Sequence, residues 1–500
     1  MAAISRRTFL RGGALAATAV FTARLAGTAG AVPATASTLA VAYNDAVITP
    51  HFPEYSSLWM GGYGWTPRGN HHPVSVDRDL RAHCMVIHDN GTPNVLLRLD
   101  VVSIPRDIHQ EIRRRVVEVE RLVATEDFMI VSSHTHSGPF VGDTHPDPVL
   151  IMGIGQADVD VINEAGWLLM DALVELVRKT VQEPPIEATL GYAEGSVELG
   201  VNRAGLPYTL PQVPVLLARD AGDGTPLAVL FGYACHPVAR GRDEVYDSDY
   251  CGYAAERIHE ELGILALFFQ GCSGDIDPPA HGTAVVADLG EQLAQTVLSV
   301  IDDDDFTPVT GPFGTALIEV QLPFSRDLTN PRERADLAAR YQARLDSYAG
   351  MDSAQVPWHT VRHAELMLRQ ISDGVLPTSI PMPIQRWRMG GLTILGLGHE
   401  VLSTFDVLLR ARAADLGVGP LWIMAYANET QCYVAADDKM WMGGYEAGRT
   451  ADDDTIAEPN SYLVSYGWPL PLNASPNGTD PSAVDSVETI VLNAAVSLLA

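Results

Sequence analysis

Two histidines one residue apart, His134 and His136, close an apolar run in Met129-Ile130-Val131-Ser132-Ser133-His134-Thr135-His136-Ser137-Gly138-Pro139. An apolar run that breaks into small residues and a Gly-Pro turn reads as a buried β-strand leaving its sheet. In open α/β sheets ligands bind at the carboxyl ends of the strands. Imidazole is the commonest protein ligand for zinc-like metals, so a His-x-His pair at such an end can place one ring on a metal and the other on a substrate.

The same event recurs along the chain. Residues 226–234 predict a strand that ends in Cys235-His236-Pro237, and residues 264–270 one that breaks into Gly271-Cys272-Ser273-Gly274-Asp275-Ile276-Asp277-Pro278. Residues 392–397 run out into Gly398-His399-Glu400, and 421–426 into Asn428-Glu429-Thr430-Gln431-Cys432-Tyr433. Taken singly, each has a plain structural explanation: a hydrogen-bonded histidine, a helix N-terminal carboxylate or a packed aromatic. Together, two imidazoles, a carboxylate and a phenol make a shell for one zinc with a water still bound. Catalytic zinc usually takes three protein ligands plus water, so a tyrosine fourth ligand would be unusual.

The elements that must position these residues alternate in type. Residues 38–50 predict an opening strand, 80–89 and 94–102 a strand pair, 106–123 and 158–180 helices, and 188–201 a further strand ending in Asn202-Arg203. Between the strands at 226–234 and 264–270 lies a helix over 249–262, the rhythm of a crossover joining a parallel pair. Helices follow over 285–301 and 332–348. A Pro-rich loop then leads to a hairpin around Gly390-Gly391, a helix over 401–414 and a closing helix over 484–499. The fold class expected is α/β: a mixed, largely parallel β-sheet core flanked by helices, in one domain over residues 38–500. The loop pair His71-His72 reads as surface.

A 47% hydrophobic and 19% charged composition is ordinarily globular, and a formal net charge of -29 argues against nucleic acid or an anionic membrane surface as partner. Ser5-Arg6-Arg7-Thr8-Phe9-Leu10, a short Ala/Thr-rich apolar stretch and Ala29-Gly30-Ala31 predict a twin-arginine signal peptide over residues 1–31. Export by that pathway, with no transmembrane segment in the mature chain, is the expectation. Five dispersed cysteines do not make a disulfide scaffold. Cys235 and Cys272, at the ends of neighbouring strands, are the pair that could join, although small buried side chains are the simpler reading.

These motifs, in this order, resemble the neutral (non-lysosomal) ceramidases, zinc-dependent amidases that hydrolyse the N-acyl bond of ceramide. Ser133-His134-Thr135-His136-Ser137-Gly138-Pro139 is similar to that family's His-Thr-His-Ser-Gly-Pro motif, and Asn202-Arg203, Tyr233-Ala234-Cys235-His236, Ser248-Asp249 with Gly252-Tyr253-Ala254, Gly398-His399-Glu400 and Tyr433 with Tyr445-Glu446 follow in register across residues 40 to 450. The resemblance implies zinc held by His134, His236, Glu400 and Tyr433, with His136 and Arg203 facing the substrate. It departs at Asp277, which stands where the family has its proposed serine nucleophile. It departs also in length, since no C-terminal immunoglobulin-like domain is expected.

With a carboxylate in place of the serine, the mechanism implied is attack by metal-activated water, with Asp275 or Asp277 taking the proton and no acyl-enzyme. A lipid-like or small-molecule N-acyl amide is the expected substrate. An ester or glycoside hydrolase on the same scaffold, or a non-catalytic secreted binding protein, are the alternatives.

Overall fold

The computed structural model describes residues 38–50, 58–66, 75–142, 146–475 and 485–500, so the 1–31 segment and His71-His72 lie outside the described residues. Leu39–Val47 (β1), Arg81–Asp89 (β2) and Thr92–Leu99 (β3) pair antiparallel, the last two across Asn90-Gly91. Both turn residues take positive φ, 49° and 82°, the conformation whose twist suits a two-residue hairpin. Arg106–Arg113 (α1) then carries the chain across to Phe128–Ser132 (β4), parallel to β3. After Gln156–Gln182 (α2) come Ile186–Ser196 (β5), Gln212–Asp220 (β6) and Pro226–Tyr233 (β7), successive antiparallel neighbours, with β5 also flanking β1. Asp249–Leu262 (α3) crosses to Leu265–Gln270 (β8), parallel to β7 as the strand-helix-strand rhythm predicts. Thr283–Asp303 (α4) follows, and Thr307–Val309 (β9) adds to β5.

The order across this sheet is β8-β7-β6-β5-β1-β2-β3-β4. The largely parallel core expected from the sequence is corrected here: only β3–β4 and β7–β8 run parallel, and the other pairs are antiparallel. A tight turn can join only antiparallel neighbours, whereas a parallel pair needs a crossover. Within this sheet only α1 and α3 supply one.

A second sheet is built from Phe313–Pro323 (β10), Ser379–Met389 (β11), Leu392–Leu397 (β12) and Leu421–Met424 (β13), in that order. Pro331–Ser347 (α5) and Trp358–Asp373 (α6) lie between β10 and β11. α6 occupies what the sequence suggested was a Pro-rich loop. Pro357 is its N-cap, so the prolines bracket the helix instead of interrupting it. Ser403–Asp415 (α7) is the crossover between the parallel strands β12 and β13, and Val487–Leu499 (α8) closes the fold.

Side chains alternate across each strand, so each sheet has two faces. Met85, Leu96, Met129, Leu230 and Phe269 of the large sheet pack against Trp387, Ile394, Trp422 and Met424 of the second. The opposite face of the large sheet meets α1 and α2 through Val86, Leu97 and Ile130, and α3 and α4 through Phe231 and Phe268. With α7 and α8 on the far side of the second sheet, the layers run helix, sheet, sheet, helix within one compact unit, Ser37–Ala500. α4 is the one described helix long and apolar enough to cross a membrane, but half of that stretch is buried in the fold. All five cysteines are buried free thiols, so Cys235 and Cys272 are not joined.

Candidate metal centre and active site

The three parallel pairs of the two main sheets point their carboxyl ends at one place. Hydrogen bonds stitch those ends together: Ala425 N–H donates to the Gln270 carbonyl (2.9 Å), Ser132 N–H to Tyr426 (3.3 Å) and Asn428 N–H to Ile130 (2.6 Å). The loops beyond are stitched in turn, His136 N–H to Pro237 O (3.2 Å), His236 N–H to Ile276 O (2.7 Å) and Glu400 N–H to Cys432 O (3.0 Å). His134, His399, Tyr426 and Asn428 all have φ between 56° and 73°. Non-glycine residues held there cost roughly 1–3 kcal/mol each and collect where a site dictates the backbone.

Two short bridges bring distant motifs together. Glu400-Val401 pairs with Tyr433-Val434, and Ile276-Asp277 with Asn202-Val201. Gly274 fits because a Cβ there would lie 3.0 Å from the Glu400 carbonyl oxygen.

At the centre, His134, His136 and His236 are buried and form a group able to hold a metal ion. His134 Nδ1 donates to the Val102 carbonyl and His236 Nδ1 to that of Ser273 (2.6 Å), which leaves both Nε2 lone pairs facing inward. That is the tautomer a metal needs. The two Nε2 atoms lie 3.2 Å apart, and His136 Nε2 is 3.1 Å from His134 Nε2. Glu400 Oε2 sits 3.1 Å from His134 Nε2 and 3.4 Å from His236 Nε2 and accepts no hydrogen bond. Ligands about 2.0 Å from one tetrahedral ion are separated by about 3.3 Å, so the donor set fits a metal. Without a cation these inward lone pairs would repel one another in a dry interior. Burial pushes the Glu400 carboxyl up, but the His134 and His236 imidazoles outweigh it and hold the group well below the usual carboxylate range.

Tyr433 is brought beside the cluster, its ring stacked on His236 with centroids 6.5 Å apart and its hydroxyl taking a hydrogen bond from Arg203 Nη2 (3.2 Å). Burial, then Glu400, raises its phenol well above the ordinary value. Arg203 also donates to Asp277 Oδ1 (2.9 Å), Glu446 Oε1 (3.0 Å) and the Gly274 carbonyl (2.9 Å). Its own burial works against the charge, but Tyr433, Asp277 and Glu446 more than compensate.

The two candidate aspartates part company. Asp277 lines an open cleft of about 840 Å³ together with His136, Arg203 and Tyr433. Asp275 is fully buried, and its carboxylate accepts from Ser403 N–H (2.8 Å), Ser403 Oγ (2.6 Å) and Asn202 Nδ2 (2.7 Å). It holds the start of α7 and does not line the cleft.

No family model and no curated protein matches this chain. Solved structures do. The crystal structure of neutral ceramidase from Pseudomonas aeruginosa superposes with a TM-score of 0.64 over 93% of this chain and 75% of that one, at 18% identity. A ceramidase complexed with C2 gives the same score and identity over 92% and 75%. The fold is that of neutral ceramidase. The ordered motifs read from the sequence and the fold therefore point the same way.

On this ceramidase fold, residues that sequence reasoning missed support the cluster. Tyr466 donates its hydroxyl to Glu400 Oε1, and the Tyr426 ring lies 4.2 Å from that of His134. Gly62, at a φ of 106°, backs onto the His136 ring, which a Cβ would meet at 2.7 Å. Tyr426 could have been suspected from its place at a strand exit. Nothing local marks Tyr466, 66 residues beyond the carboxylate it touches.

Proposed function

We propose that this chain is an exported zinc-dependent hydrolase that cleaves an N-acyl amide bond with water, without a covalent acyl-enzyme. The observation that carries the reading is the inward-facing, unsatisfied donor set of His134, His236 and Glu400 beside an open cleft lined by Asp277 and Arg203. These three, with Tyr433, are the residues we assign to zinc, and His136 is the substrate-side imidazole. Bound there, zinc would supply Lewis acidity, polarising a carbonyl and making water acidic enough to react near neutral pH.

The protein's own groups do the rest. Asp277 accepts the proton of the attacking water as its oxygen bonds to the acyl carbon. The C–N bond then breaks with its electron pair on nitrogen, and Asp277 returns the proton to the departing amine. The products are a carboxylate and an ammonium ion, the second proton of the water passing from the new acid to the amine. Arg203 holds Asp277 in place, and His136 stabilises negative charge developing on the acyl oxygen. Where the neutral ceramidases that this sequence resembles have a serine, the carboxylate favours this direct route.

Export rests on the twin-arginine pattern at Arg6-Arg7. The deciding experiment is release of free amine by the zinc-loaded protein from a panel of N-acyl amides, with esters and glycosides alongside. Amine release in ¹⁸O-water with one label in the carboxylate is expected. Turnover of esters or glycosides alone would overturn the amide assignment.

A further inference from the structure

The cleft does not end at the histidines. Gly62, His136 and Tyr433 also line a small neighbouring chamber of about 50 Å³, together with His134 and Glu400. Its inner end is apolar, made by Met60, Val102, Phe140, Ile151 and Met152, all buried. The cleft carries the charged groups: Arg203, Arg242, Asp277, His281, Lys439 and Glu446 stand along it. A site with one apolar end and one charged end sorts the two halves of an amide. The acyl group belongs in the chamber and the leaving amine in the cleft.

The volumes then set the length of the acyl group. At about 50 Å³ the chamber is far smaller than the cleft of about 840 Å³ and than an ordinary small-molecule site. That admits an acetyl or propionyl group and excludes a long chain. Beyond the chamber lies a second apolar space, a surface groove of about 200 Å³ lined by Leu58, Val141, Ala165, Leu168 and Leu169. One side chain lines both spaces. Phe140 is 5% exposed and is held by its N–H on the Trp59 carbonyl (2.8 Å).

We infer that this site takes short-chain N-acyl compounds of polar amines, and that Phe140 is the residue that sets the acyl length by closing the chamber from the groove. The inference rests on the amidase reading above, and binding can test it apart from turnover. Linear hydroxamic acids place an acyl chain beside a metal without being hydrolysed, so the probes are acetohydroxamate, butyrohydroxamate and octanohydroxamate, titrated calorimetrically into zinc-loaded protein. In the wild type the acetyl probe should bind at least roughly tenfold more tightly than the octanoyl one. Phe140→Ala, and less strongly Phe140→Leu, should reverse that order as the chain passes into the groove. Thermal unfolding checks that each variant is folded, and the leucine variant carries the test if the alanine one is not. Affinity in the wild type that rises steadily through the octanoyl probe would overturn the inference. So would an unchanged order in a folded Phe140 variant. Failure to release amine from any N-acyl substrate would instead strike the amidase reading, leaving the binding order to decide the chamber.

Discussion

Arg203 Nη1 and Asp277 Oδ1 are 2.9 Å apart, although 74 residues separate them in the chain. The two-residue bridge between Val201-Asn202 and Ile276-Asp277 makes the meeting possible, and the pair faces the cleft beside His136. An arginine shared among Asp277, Glu446 and Tyr433 orders three oxygens around one guanidinium. Replacing the carboxylate with an amide keeps the shape and removes the base. Asp277→Asn should lower kcat on an N-acyl substrate by on the order of 10²–10⁴, with metal content unchanged. Steady-state kinetics beside elemental analysis checks it, and a near-wild-type rate would remove Asp277 from the chemistry.

The donor set makes a separate prediction about metal. Protein purified without added metal should carry one zinc per chain. His134→Ala and His236→Ala should each lose most of it, because each deletes an inward Nε2, whereas His136→Ala should keep it. Chelation should lower the thermal midpoint, since a ligand that binds only the folded state stabilises it by mass action. Zinc lost equally from all three variants would move His136 into the ligand set.

Tyr466 and Glu400 offer a test one step further out. The phenol donates to Oε1 and so leaves Oε2 free to face the histidines. Groups that orient a ligand are commonly worth 10–100-fold in metal affinity. Tyr466→Phe should therefore weaken zinc binding by roughly tenfold in a chelator competition, with little change in packing.

Asp275 should behave as a structural residue. Its buried carboxylate takes three hydrogen bonds that fasten Asn202 and the start of α7. Asp275→Ala strands those donors and should cost about 3 kcal/mol of stability. Denaturant unfolding reads that loss directly. A folded, stable variant with no activity would instead return Asp275 to the catalytic group.

Acid should destabilise the fold through histidines kept neutral. Burial pushes His363 in α6 down to about 3 from an ordinary value of 6.5, despite its hydrogen bond to the Trp468 carbonyl (3.0 Å). Its folded value lies below its unfolded one, so the folded protein binds fewer protons. The contribution is whole above pH 6.5 and is lost as pH falls toward 3, at about 1.4 kcal/mol per pH unit in that window. His363→Gln should make the stability profile shallower by that slope. An unchanged profile would show that His363 is not titrating.

Local chemistry carries much of this protein into its sequence. A hydrophobic run that stops at a polar residue marks a strand exit wherever it occurs, so His134, His136, His236, Asp277, Glu400 and Tyr433 could be picked out before any coordinates. The hairpin at Gly390-Gly391 and the α3 crossover were legible for the same reason: glycine turns and helical periodicity act over a few residues. What no local pattern holds is pairing across the chain. The antiparallel character of most of the large sheet depends on which strands β1 and β5 find as neighbours, and those lie far apart in sequence. The same is true of Tyr466 on Glu400 and of the division of labour between Asp275 and Asp277. Asp275 lies just before the two-residue bridge that carries Asp277, so strand alternation does not relate their side chains, and only the packing of α7 decides which one is buried and which one faces the cleft.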